Sequence, residues 1–190
     1  MSAERSPNAT ETLVLGGGCF WCLESVFKEA RCILDIESGY SNGQLDHPSY
    51  EDVCRGDSGH AEVVKLVYDP AIVTLADLLD VFFAIHDPTQ LNGQGHDLGS
   101  QYRSGIYATT EAQLRAARAF VNALPHDPHW SGTRIVTEIE PLTNYWAAED
   151  YHQDFFERNP TQGYCLAVAA PKIAKFRARF GRLARPPSAS

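Results

Sequence analysis

Apolar residues along this chain switch repeatedly between the period of a strand and the period of a helix. Leu13-Val14-Leu15 predicts a short strand, and Phe20, Leu23, Val26, Phe27 and Ala30 fall at helical spacing over 20–30. A strand is expected over 33–40, followed by a polar loop from Ser41 to Gly59. The next strand, 61–68, stops at Asp69-Pro70. Thr74 with Asp77 opens a helix whose core face carries Leu75, Leu78, Leu79, Phe82 and Phe83. A glycine-rich loop runs from Asp87 to Gln101, ahead of a strand over 103–108. Thr110-x-x-Gln113 reads as a capping box that starts a helix over 111–124. Alternation of Ile135, Thr137 and Ile139 with Arg134, Glu138 and Glu140 predicts a strand over 134–140, and helices are expected over about 147–158 and 170–182. The pattern is α+β, one sheet with helices packed on it, and it does not give the strand order.

The 190 residues, 44% hydrophobic and 21% charged, suit one domain with a real core. The ends, about 1–10 and 185–190, read as disordered. Charge is unevenly spread. The last twenty residues carry six Lys or Arg and no acid, which leaves −14 on residues 1–170 out of a whole-chain −8. An acidic body argues against a nucleic-acid partner. Ile173, Phe176 and Phe180 sit at helical spacing between the basic residues, so the tail reads as a packed helix with a solvated cationic face. The opening MSAERSPNAT lacks the apolar stretch of a leader, and no apolar run reaches membrane-spanning length. The expectation is a cytoplasmic monomer, with no membrane partner, whose five cysteines are reduced, catalytic or buried.

Gly16-Gly17-Gly18 marks a tight strand-to-helix turn that places Cys19 at a helix N-terminus, where free N–H groups and the dipole favour an anion. Lowering a thiol pKa from about 8.5 to about 7 takes roughly 2 kcal/mol and makes half of it thiolate. Cys19 is therefore the candidate nucleophile. Trp21 lies off the apolar stripe, a candidate pocket wall, whereas Phe20 lies near the stripe and reads as core. Cys22, one turn from Cys19, is either a disulfide partner or a packed thiol. Glu62 shares a strand face with Val64, Leu66 and Tyr68; desolvated there, it would hold a proton near neutral pH, unless the strand end lets it reach solvent. Tyr50 and Tyr102, near polar loops, can donate hydrogen bonds to a substrate oxygen, but pattern alone leaves them unassigned; it reads Asp97 as a turn former and Cys165 as buried. Two other readings stand beside these. One is a thioredoxin-like oxidoreductase using Cys19 and Cys22; the other is a zinc module using Cys19, Cys22 and His60.

Taken together, GGGCFWCLE at 16–24, SGYSNG at 38–43, PSYEDVCRGDSGHAEVVKLVYDP at 48–70, HDPTQLNGQGHDLGSQYRSGIY at 86–107, AEDYHQDFFERNP at 148–160 and GYC at 163–165 resemble the peptide-methionine (S)-S-oxide reductases, the A-type methionine sulfoxide reductases. The resemblance covers most of residues 12–167 and implies a two-layer α+β sandwich around a mixed sheet, with long irregular termini. It implies Cys19 as nucleophile, Phe20 and Trp21 as the pocket for the substrate methyl group, and Glu62 as the proton donor to the sulfoxide oxygen. Tyr50, Tyr102 and Asp97 become the polar shell around that oxygen. Cys165 becomes the resolving thiol, with Cys22, often glycine in the family, as the alternative. Methionine sulfoxide is then the substrate and thioredoxin the reductant, with no metal and no organic cofactor.

Overall fold

A computed structural model describes residues 9–186. Six strands form one sheet, in the order β7 (Glu138–Pro141), β6 (Gly105–Ala108), β1 (Glu11–Gly16), β3 (Ala61–Tyr68), β2 (Ile33–Ser41), β8 (Tyr145–Ala147). Neighbours are antiparallel except β6 and β7, whose parallel pairing uses a crossover through α4 (Glu111–Ala123). The sheet is mixed, as expected.

Strand alternation sorts the core onto two faces. Leu13 and Leu15 of β1 and Val64, Leu66 and Tyr68 of β3 join the large cluster with α1 (Phe20–Lys28) and α3 (Leu75–Ile85). Val14, Ala61, Val63 and Tyr107 point the other way, into a small cluster with Leu142 and Tyr145. Glu62 thus falls on the helix-covered face, among the large apolar side chains.

Register explains why Glu62 meets α1. Leu15 pairs with Val64 and Tyr40 pairs with Glu62, so Glu62 sits on β3 just beyond the point where β1 ends and turns away. That turn needs glycine. Gly18 has φ +89°, and a Cβ there would lie 2.9 Å from the Gln94 side chain; a Cβ on Gly17 would press on Phe82 at 3.0 Å. The chain therefore reverses tightly and starts α1 directly over the end of β3.

Capping is local and legible. Thr74 and Asp77 close a reciprocal capping box on α3. Thr110 accepts from the Gln113 N–H, but the Gln113 side chain reaches one residue further back, to the Thr109 N–H, and on to the Thr12 carbonyl, so only half of the expected box forms.

Four expected elements change. The loop from Ser41 to Gly59 holds a short helix, α2 (Tyr50–Cys54), capped reciprocally by Ser49 and Asp52. The loop from Asp87 to Gln101 holds a two-strand hairpin, β4 (Gly93–Gln94) with β5 (Asp97–Leu98). The strand expected over 134–140 is paired only from Glu138. The helix expected over 147–158 is instead the end of β8, a 3₁₀ turn over Asp150–His152 and the short α5 (Phe155–Arg158). Two contacts overrule the helical spacing there. The Gln153 amide pairs with both backbone groups of Ser38, and Asp154 takes the left-handed conformation at φ +57°. At the C-terminal end a π-helical turn over Cys165–Ala169 leads into α6 (Ala170–Arg179), which buries Ile173 and Phe176 and carries its basic residues outward. Arg185, at the start of the expected tail, is anchored: its N–H donates to the Glu29 carbonyl and its guanidinium to the carbonyls of Lys28 and Ile33. Residues 1–8 and 187–190 of the two expected disordered ends lie outside the described residues.

Candidate active site

Cys19 is the N-cap of α1 and is 8% exposed. Glu62 lies beneath it. The Phe20 N–H donates to Glu62 Oε2 at 3.2 Å, which ties the carboxyl to the residue after the thiol. Glu62 is 1% exposed, and burial pushes its carboxyl up to about 8, reinforced by the charge of Asp97. It holds its proton at neutral pH.

The thiolate expected at Cys19 is corrected by the same geometry. Burial raises its thiol well above the usual range, and the carboxyls of Glu62 and Asp97 and the thiol of Cys22 add to the rise. The Trp21 N–H pulls the other way. One of the free helix-terminal donors, the Phe20 N–H, is spent on Glu62 instead. A dipole worth up to about 2 kcal/mol does not offset desolvation of this kind. The resting site is a protonated pair: a thiol and a carboxylic acid.

Phe20 is fully buried and touches Tyr40 and His152. Trp21 stacks face to face on Phe155, with ring centroids 3.6 Å apart, meets the edge of Tyr164, and donates its Nε1–H to His152 Nδ1 at 3.1 Å. The aromatic wall expected around Trp21 is therefore built largely by the segment that folds as turn and short helix. Tyr50, the first residue of α2, packs against His152 with the rings tilted and their centroids 4.5 Å apart. Tyr102 closes a 3₁₀ turn whose carbonyl accepts from the Gly18 N–H at 3.2 Å. Burial holds both phenols far above their usual range, reinforced at Tyr50 by the Cys54 thiol and at Tyr102 by the Glu62 carboxyl, so each stays an O–H donor. Asp97 on β5 accepts from the Tyr164 hydroxyl at 2.6 Å. It is a cavity-lining carboxylate on a strand, not the turn former that pattern alone suggests, the turn being Gly95-His96.

Cys165 is fully buried at the start of the π-helical turn, which packs on α1. Cys22 is 1% exposed, with its thiol 3.6 Å from the Tyr164 hydroxyl. Cys32 is buried elsewhere and Cys54 is exposed on α2. His60 turns its Nε2 to the Leu45 carbonyl at 2.7 Å, and among the described residues no three His, Cys, Asp or Glu side chains gather as a metal site. The sequence reading missed His152, Phe155 and Tyr164. Their signal was the density of aromatic residues over 151–164, which a helical reading smeared around a helix that does not form.

A cavity of about 1070 Å³ opens from Cys19 and runs between the end of α3, the β4–β5 hairpin and α6, reaching Trp130 and Lys172. Its size is in the range of a drug-sized ligand or a short peptide segment.

These features, a glycine turn, a buried acid under an N-cap cysteine and an aromatic wall, coincide with a family model described as peptide methionine sulfoxide reductase, which matches residues 11–183. The chain belongs to that family. A peptide methionine sulfoxide reductase MsrA from Polynucleobacter asymbioticus is 49% identical over 176 residues, covering 93% of this chain and 92% of the relative. Among solved structures, Mxr1 from Saccharomyces cerevisiae in its reduced form superposes with a TM-score of 0.79 at 40% identity, over 86% of this chain and 93% of that one. Mxr1 in complex with Trx2 superposes at 0.55, with 29% identity over 81% and 90% of the two chains. The curled mixed sheet with its helical layer is the reductase fold.

Proposed function

We propose that this protein reduces the S epimer of methionine sulfoxide, free or within proteins, to methionine. The observation that carries the reading is the protonated Glu62 held against the residue that follows Cys19. A sulfoxide oxygen leaves poorly unless it is protonated or polarised, and a carboxyl poised near 8 donates a proton at neutral pH. Phe20 and Trp21 take the substrate methyl group. The hydroxyls of Tyr50 and Tyr102, with Asp97, orient the oxygen above Glu62. Glu62 gives its proton to the oxygen as the Cys19 sulfur attacks the sulfoxide sulfur, and the proton released from the Cys19 thiol restores Glu62, so no net proton is consumed. The oxygen passes to Cys19, which is oxidised to the sulfenic acid while the sulfoxide is reduced to the thioether. Cys165 takes up the sulfenic acid as a disulfide, and thioredoxin reduces that disulfide by thiol exchange, a partner supported by the Mxr1 complex with Trx2.

Among the described residues no helix is long and apolar enough to cross a membrane. An epimer-resolved assay with dithiothreitol tests the reading. Methionine should form from the S sulfoxide and not from the R sulfoxide, and Cys19→Ser should abolish it. Methionine production by Cys19→Ser would overturn the assignment.

A further inference from the structure

The cavity that opens from Cys19 is much larger than the reaction needs. Its volume of about 1070 Å³ lies just above the roughly 300–1,000 Å³ that holds a whole drug-sized ligand, so one methionine sulfoxide side chain fills only a small part of it. Its walls differ in charge. On the hairpin side stand the carboxylates of Asp87 and Asp97, and both already have donors. Asp97 accepts from the Tyr164 hydroxyl at 2.6 Å, and Asp87 accepts from the N–H and hydroxyl of Thr89 at 2.9 and 2.6 Å. On the α6 side stand Lys172 and Lys175, three apart and therefore on one face of the helix, while Ile173 and Phe176 turn into the core.

These two ammonium groups are uncommitted. Among the described residues neither has an ion-pair partner, whereas Arg177 and Arg182, further along the same stretch, pair with Glu29 and Asp77. Two free cations on one cavity wall stand out in a chain of net charge −8. Trp130, half-buried, faces the same space, with the His129 ring set edge-on to it at 4.4 Å between centroids. Lys172 is also within electrostatic reach of the reacting end. Burial raises the Cys22 thiol and lowers His86, and the Lys172 charge opposes the first and adds to the second.

We propose that this cavity holds the polypeptide on one side of an oxidised methionine, and that Lys172 and Lys175 select an Asp or Glu within that segment. The proposal rests on the sulfoxide reductase reading, which puts the sulfoxide at Cys19. It names the preferred substrate class as methionine sulfoxide in acidic peptide, ahead of basic peptide. Trp130 supplies the apolar surface on which the segment lies.

Selection of this kind is modest and local. Each solvated ion pair is worth little, so two together favour an acidic over a basic segment by about three- to tenfold. The net charge of −8 repels acidic peptides at long range. At physiological salt, however, charges beyond about 8 Å are screened, and the nearest cations decide. The acid lies away from the reacting sulfur and is held equally in the ground and transition states. The gain therefore falls in KM and not in kcat.

Short blocked peptides test this, each with one methionine-S-oxide flanked on both sides by Glu, by Ser or by Lys. Dithiothreitol serves as reductant, which keeps thioredoxin docking out of the readout. Native kcat/KM should fall from the Glu to the Ser to the Lys peptide, by about three- to tenfold overall and through KM, and high salt should narrow the gap. Lys172→Glu with Lys175→Glu should reverse the order, and Lys172→Arg with Lys175→Arg should keep it. Equal kcat/KM on the three peptides in the native protein, or an order that survives charge reversal, would overturn the selection. Failure on all three peptides while free methionine-S-oxide is reduced would overturn the peptide groove itself. No methionine from either kind of substrate would instead overturn the reductase reading on which the proposal rests.

Discussion

Glu62 and Glu24 are buried to the same degree, 1% and 2% exposed, yet the structure treats them differently. Glu24, on α1, accepts from the Asp154 N–H at 3.1 Å, and Lys28 stands one turn away with its own pairs to Asp154 and Glu157. Burial raises the Glu24 carboxyl against the pull of those N–H groups and that cation. Glu62 accepts a single N–H, and among the described residues no cation pairs with it; its other charged neighbour is Asp97. Burial alone therefore does not make an acid catalyst. A carboxyl given donors and a cation becomes a fastener, and one denied them becomes a store for a proton.

The largest way to break this comparison is to remove the proton. Glu62→Gln keeps a carbonyl oxygen for the Phe20 N–H but has no proton to give. Its sulfenic-acid-forming step should slow by roughly 10²–10⁴-fold in single turnover, the usual worth of a positioned general acid. The matched Glu24→Gln should stay within a few-fold of native. For the native enzyme the same step should fall as pH rises through about 8, where Glu62 ionises. A native rate in Glu62→Gln, or a pH profile flat across that range, would remove Glu62 from the chemistry.

Much of this contrast was legible along the chain. Alternation put Glu62 on an apolar face with Val64, Leu66 and Tyr68, and β3 forms over the expected 61–68. Residues 147–158 were read with the wrong period. What shapes them is long-range: Gln153 acting as a strand partner for Ser38, and Asp154 held by Glu24 and Lys28 from α1. No local pattern encodes those contacts, so the wall behind Trp21 was invisible. The protonated state of Cys19 was hidden for a related reason, because a helix N-terminus is visible in sequence and its desolvation by a distant strand is not.

The second test reads stability. An ordinary glutamate titrates near 4.3, whereas Glu62 in the fold titrates near 8. Between those values the unfolded chain releases the proton and the native chain keeps it, so this group makes the native state progressively less stable as pH rises. The cost is absent below about pH 4 and complete above about pH 8, on the order of 5 kcal/mol at roughly 1.4 kcal/mol per unit. Glu62→Gln should therefore match the native protein in denaturant melts at pH 4 and exceed it increasingly up to pH 8. Buried His86, held neutral with a pKa pushed down to about 4, destabilises in the opposite direction as pH falls from about 6.5, but it is common to both proteins and cancels. A mutant less stable than native at pH 8 would mean that Glu62 is a structural fastener after all.

The smallest expected effect is also the one that isolates positioning from chemistry. Glu24→Ala leaves the Asp154 N–H without its acceptor and loosens the segment that carries His152 and Phe155. The loss of such a buried partner costs about 1–3 kcal/mol of stability. Because Phe155 and His152 back Trp21 rather than touch the reacting sulfur, the change should raise KM several-fold and leave kcat nearly intact. Trp21 fluorescence should shift as its stacking partner moves, and Glu24→Gln, which keeps the oxygen, should restore both readouts. A fall in kcat equal to the fall in kcat/KM would place Glu24 with Glu62 in the transition state, and the distinction between fastener and proton store would fail.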